Sequence, residues 1–238
     1  MRVAGADGCR AGWLVVIADA GALSARLVAT LDPVLAEAAL EVLGVDTPIG
    51  LDTAPAPGGR AADRAARRAL AAGAPPGLRA VGSRVFSAPT GAQLAAWRAG
   101  ADHAGVNAVH PGGPKLSIQA FNILPKIDAA DRLAARDPRV VEVHPELSFL
   151  ALANETLAPK RLAAARARRA ALLADAGVDV RALAAALGPA RGRWQDDDLL
   201  DAAVACWSAG RIARGTARRY PCAEPGAAAA PRRGAILA

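Results

Sequence analysis

Acidic side chains fall at four places where an apolar segment begins or ends. Asp7 closes VAGAD, ahead of the turn GCRAG. Asp46 closes a second apolar segment, ahead of Thr47-Pro48. Glu142 and His144 stand in VVEVHPE, with Glu146 just beyond, and Asp196, Asp197, Asp198 and Asp201 open the segment DDDLLDAAVACW. A buried strand excludes an unpaired charge, so Asp7 is either a turn residue or part of a site, and Asp46 poses the same choice. Acids in a first helical turn are favoured by capping and by the helix dipole. That accounts for Asp196 and its neighbours but not for Asp201, which falls in the second turn. Glu142 between valines can pair with an arginine. His144 can bind a metal, shuttle a proton or hydrogen-bond a neighbouring carboxylate.

Together the acids suggest more than separate turns and caps. Strand ends in an open sheet gather at one crevice, and carboxylates crowded there repel unless cations neutralise them. Asp198 and Asp201 lie three apart and share a helix face. Such hard oxygen ligands suit Mg²⁺ or Mn²⁺, and a pair of such ions stabilises both the attacking and the leaving oxygen in phosphodiester cleavage. The sequence has no P-loop and no GxGxxG. It has no GxSxG either, and His103 and His110 lie in an irregular segment with no partner spacing, which argues against a nucleophile triad.

The elements that must position these acids are legible in outline. VAGAD, WLVVIAD and GALSARLVAT read as three strands of an antiparallel meander. DPVLAEAALEVL reads as a helix with Asp32 as N-cap and Pro33 at its first position. A short strand then leads to Asp46, and RAADRAARRALAA reads as a helix ending at Gly73. Residues 73–114 read as irregular, with a short helix around QLAAWRAG. KLSIQAFNILPKIDAADRLAAR reads as a helix broken or kinked at Pro125. RVVEVHPELSFLAL reads as a strand, apolar on one face through Val141 and Val143 and polar on the other through Glu142 and His144. Two basic helices and the long helix bearing Asp201 follow. The expected fold class is α/β, a mixed sheet flanked by helices. One domain is expected over 1–220, with a loop-rich insertion at about 73–125 and a flexible tail over 221–238.

The 238 residues are 53% apolar but only 3% aromatic, so the core must be built of Ala, Leu and Val. The formal net charge of +7 arises wholly after residue 159, in stretches such as KRLAAARARRAALL. This fits either a polyanion partner or solvated helix faces. The three cysteines show no paired spacing, so neither a disulfide framework nor a zinc site is expected. With no signal-peptide profile and no membrane-spanning run, the sequence reads as a cytoplasmic protein.

GADGCRAGW, VDTPIGL, RAADRAARR, GSRVFSAP, SIQAFNILPKI, VVEVHPELSF and DDDLLDAAVACWSAGRI occur in one order over residues 3–215. In this set the chain resembles domain-of-unknown-function family 429, predicted nucleases of ribonuclease H-like fold. The resemblance implies a ribonuclease H-like sheet and metal ligands at Asp7, Asp46 and the Asp198/Asp201 pair, with Asp197 a rival to Asp198. It adds Glu142, His144 and Glu146 as further catalytic candidates. Lys126, Arg60, Arg84 and Ser83 fall on motif positions and are assigned to substrate binding, the basic ones as phosphate contacts. The segment after Lys160 resembles the family's pattern only loosely, which leaves Lys160 and Arg168 without a role. The expected function is a Mg²⁺- or Mn²⁺-dependent nuclease acting on DNA or RNA. The alternative is a non-catalytic module on the same fold that binds nucleic acid or protein.

Overall fold

The computed structural model describes residues 1–222 and 234–238. Three strands open the chain: β1 (Arg2–Cys9), β2 (Gly12–Asp19) and β3 (Ala22–Val28). They pair antiparallel, as their closeness in sequence predicts. A single helical turn, α1 (Asp32–Leu35), leads to β4 (Leu40–Val45), which lies parallel to β1. Helix α2 (Ala61–Ala72), a 3-10 turn (Val81–Arg84), α3 (Gly91–Arg98), α4 (His103–Ala108), α5 (Ile118–Asn122) and α6 (Leu124–Arg136) follow. Next come β5 (Val140–Glu142), parallel to β4, and then α7 (Pro145–Ala153), α8 (Ala163–Asp175), α9 (Val180–Leu187) and α10 (Asp196–Ala213). The five-stranded mixed sheet has the order β3-β2-β1-β4-β5. Among the described residues no helix is long and apolar enough to cross a membrane.

The two faces of the sheet are covered by different layers. Val3, Leu14, Val16, Val42 and Val141 pack with Ala202, Ala205, Cys206 and Ala209 of α10. Ala4, Ala6, Trp13, Val15 and Leu43 pack on the other face with Ala130 and Leu133 of α6. The α10 face has almost no side chain at its centre. Gly5 of β1 and Gly44 of β4 are partners in register. A Cβ at Gly5 would run into the Cys206 nitrogen and the Ala202 carbonyl, and one at Gly44 would lie 3.1 Å from the Ala205 carbonyl. The helix therefore rests directly on the strand backbones.

Four local expectations are corrected. The helix expected from Asp32 stops at Leu35, with Leu31 rather than Asp32 at the N-cap and Asp32 in the first turn. Ala39 turns the chain at φ 62°, and the strand expected before Asp46 begins already at Leu40, with LEVLGV buried at all positions but Glu41. Pairing with β1 outweighs helix propensity there. The break expected at Pro125 comes at Ile123, where α5 gives way to α6, and the proline sits in the first turn of α6. The strand expected over RVVEVHPELSFLAL ends at Glu142, because Pro145 opens α7. Its expected polar face is absent, since Val141, Glu142 and Val143 are all buried. Finally, residues 234–238 do not form a flexible tail. Ile236–Leu237 (β7) pairs antiparallel with Arg219–Tyr220 (β6), and Leu237 bridges Val143 beyond β5. The remainder of that expectation, 223–233, lies outside the described residues.

Candidate active site

The parallel register of β1 and β4 places Asp7 and Asp46 side by side. Gly5 pairs with Gly44 and Ala6 with Val45, and the Asp46 N–H donates to the Ala6 carbonyl at 3.0 Å. Asp7 lies on the Gly5 face, two residues further along the strand, and so points to the layer of α10. On α10, Asp201 precedes Ala202 and shares a face with Ala205, the residues that touch the two glycines. Close backbone contact thus brings the helix acid to the strand acids.

The electrostatics record this crowding. Burial first, and then the Asp46, Asp201 and Asp198 charges, push the Asp7 carboxyl well above its ordinary value, against the pull of Lys160. Burial and Asp201 do the same to Asp46. Asp201 is pushed up to about 6, by burial against the opposing pull of Lys160. The Lys160 ammonium donates to Asp201 Oδ2 at 2.5 Å and lies 4.0 Å from Asp197. It holds the cation position of the cluster. Among the described residues no group of three or more His, Cys, Asp or Glu side chains is arranged to hold a metal ion. The donor chemistry nonetheless suits a hard divalent cation, because three carboxylates face one ammonium.

Two chambers meet at these acids. An inner one of about 170 Å³ is lined by Asp7, Asp46, Lys126, Glu142 and His144. An outer one of about 500 Å³ is lined by Asp46, Ser83, Arg84, His144, Lys160 and Asp201, among others. His144 and Asp46 belong to both. The His144 Nδ1 atom is buried without a partner, as are Thr47 Oγ1 of the inner chamber and Arg84 Nη2 of the outer one. Burial holds His144 below its ordinary value despite the pull of Glu146, so the ring is neutral at neutral pH.

The remaining candidates divide sharply. Glu142 is registered against Val45 and spends its carboxylate on the Ile49 N–H at 2.7 Å and on both Arg60 amino groups at 2.8 and 2.7 Å. Arg60, only 3% exposed, also donates to Asp63 and to the Ile49 carbonyl. The expectation that Arg60 contacts phosphate is therefore corrected, since this guanidinium is buried and its donors are spent. The triad instead pins the turn after β4 to the start of α2. Asp198 accepts the Gln195 N–H at 2.7 Å and caps α10, leaving Asp201 as the helix acid in the chamber wall. Lys126 donates to the Gly12 carbonyl and lies 4.8 Å over the Trp13 ring. Ser83 is exposed on the outer chamber, its hydroxyl on the Ala80 carbonyl at 2.7 Å. Glu146 is a clamp: it accepts from Arg84 and from Arg169, each at 2.7 Å. Those arginines also hold the Leu157 and Ala158 carbonyls, fixing the segment that carries Lys160. Lys160 itself gave no signal in spacing, being 41 residues from its partner.

The fold and site are those of an α/β protein with an acidic crevice at the carboxyl ends of parallel strands. The chain belongs to the family described as protein of unknown function (DUF429), whose match spans residues 5–225. No curated protein and no solved structure matches the chain.

Proposed function

We propose that the protein is a metal-dependent nuclease of ribonuclease H-like fold, hydrolysing phosphodiester bonds at Asp7, Asp46 and Asp201. The strand order β3-β2-β1-β4-β5, antiparallel then parallel, supports the fold reading. The observation that carries the activity is three crowded carboxylates, each raised in pKa, against one ammonium. Such an arrangement is costly unless it serves a cation or a proton. Asp7, Asp46 and Asp201 would hold Mg²⁺ or Mn²⁺, which when bound acidifies a water and stabilises charge on the phosphate oxygens. His144 lines both chambers, and its neutral ring, with Nδ1 buried and unpartnered, would accept a proton once a water reaches it. The Arg60–Glu142–Asp63 network keeps the wall behind Asp46 in place.

The test is cleavage of single- and double-stranded DNA and RNA in Mg²⁺ or Mn²⁺, against a chelator control. Asp7→Asn is expected to lower cleavage by more than about a hundredfold, beyond the loss typical of residues around a metal site, while circular dichroism stays native. A folded Asp7→Asn protein that cleaves at the native rate would sink the assignment. One observation favours the second reading, a non-catalytic binding module: Lys160 already neutralises Asp201. That reading expects nucleic-acid or protein binding with no cleavage in any divalent metal.

A further inference from the structure

The outer chamber is lined by charges of both signs. Asp46 and Asp201 line it; Arg79 and Arg161, exposed and with no hydrogen bond or ion pair to their side chains among the described residues, also line it. Arg84 Nη2 is buried in the wall and lacks a partner, although Nη1 is doubly bonded. A buried guanidinium nitrogen left unbonded is costly unless a ligand completes it. Phe86 lines both chambers and is one of the few large apolar side chains left exposed, at 36%. An exposed aromatic ring among arginines is how proteins stack a base while holding its phosphate.

We propose that the outer chamber is a mononucleotide subsite, with the base on Phe86 and the phosphate on Arg79, Arg84 and Arg161. Its volume of about 500 Å³ falls in the range of small-ligand pockets and is far too small for a duplex. The same chemistry comes from a free nucleoside monophosphate or from the end of a single strand. The proposal rests on the nuclease reading only for what happens at the inner acids.

The test is binding by the full chain in chelator, where hydrolysis cannot interfere. The probes are AMP, adenosine, inorganic phosphate, a short single-stranded oligonucleotide and its blunt duplex. AMP is expected to bind at least about tenfold tighter than adenosine, the worth of charge-assisted hydrogen bonds to phosphate, and affinity falls with salt. Arg79→Ala combined with Arg161→Ala, at two exposed positions, should erase that advantage. Phe86→Ala should weaken AMP about tenfold and leave inorganic phosphate unchanged. A single strand that outcompetes AMP assigns the chamber to a strand end, and AMP competing equally assigns it to the free nucleotide; both support the subsite. AMP binding no tighter than adenosine, or unaffected by the double substitution, overturns it, as does a duplex that binds as well as the single strand. A chain that binds AMP and cleaves nothing in any metal removes the nuclease reading and leaves the subsite standing.

Discussion

Lys160 sets the charge balance of the acid cluster. Burial pulls its ammonium down, but Asp201 and Asp46 pull it further up, so it stays charged against Asp201. A divalent ion entering the cluster must compete with it. Lys160→Met is therefore expected to raise Mn²⁺ affinity on the order of tenfold, what one unit of carboxylate pKa is worth. Calorimetric titration checks this, and unchanged or weaker Mn²⁺ binding in a folded variant would refute the competition. Asp7 and Asp46 could be found from sequence because each ends an apolar segment at a turn. Lys160 could not, because nothing in a basic stretch marks which cation turns inward, and Lys160 lies in the turn ahead of α8. Arg60 misled for the converse reason. Its partner Glu142 lies 82 residues away, so a buried ion pair read as a free phosphate contact.

At the scale of elements, the contact between α10 and the two strand glycines decides where Asp201 stands. Gly5→Ala puts a methyl into the helix backbone, which no rotamer change can relieve. It is expected to cost about 3 kcal/mol or more in denaturant unfolding. A variant that keeps native stability would mean that the helix sits further from the sheet. The first three strands were legible because short apolar runs follow one another across Gly-containing turns, and α10 because its acids precede a long apolar run. The strand before Asp46 was legible too, but its start at Leu40 was not, because it follows an alanine-rich segment with good helix propensity, and only its neighbour β1 decides the boundary. The pairing of Leu237 beside Val143 was hidden for a similar reason. A Pro-, Gly- and Ala-rich stretch carries no sign of the edge it will meet.

For the whole molecule, the acid cluster links stability to pH. The folded carboxyls of Asp7, Asp46 and Asp201 hold protons more tightly than the unfolded chain does, Asp201 up to about 6. Their contribution is therefore fully present below about pH 4 and is lost as pH rises, that of Asp201 through about 6. In chelator the Tm is expected to fall between about pH 5 and pH 8, and Mg²⁺ or Mn²⁺ should reverse the fall at the upper pH and do little at the lower. A Tm that rises across this range in the native chain, and equally in Asp7→Asn, would contradict the linkage. The sheet itself has two ends with different fates. Leu237 lies against Val143 beyond β5, whereas among the described residues β3 pairs on one side only and turns Ala22, Ser24 and Arg26 to solvent. Edge-to-edge growth between copies therefore has β3 as its natural starting line, and the charge of Arg26, tied to Glu37, stands as the gatekeeper against it.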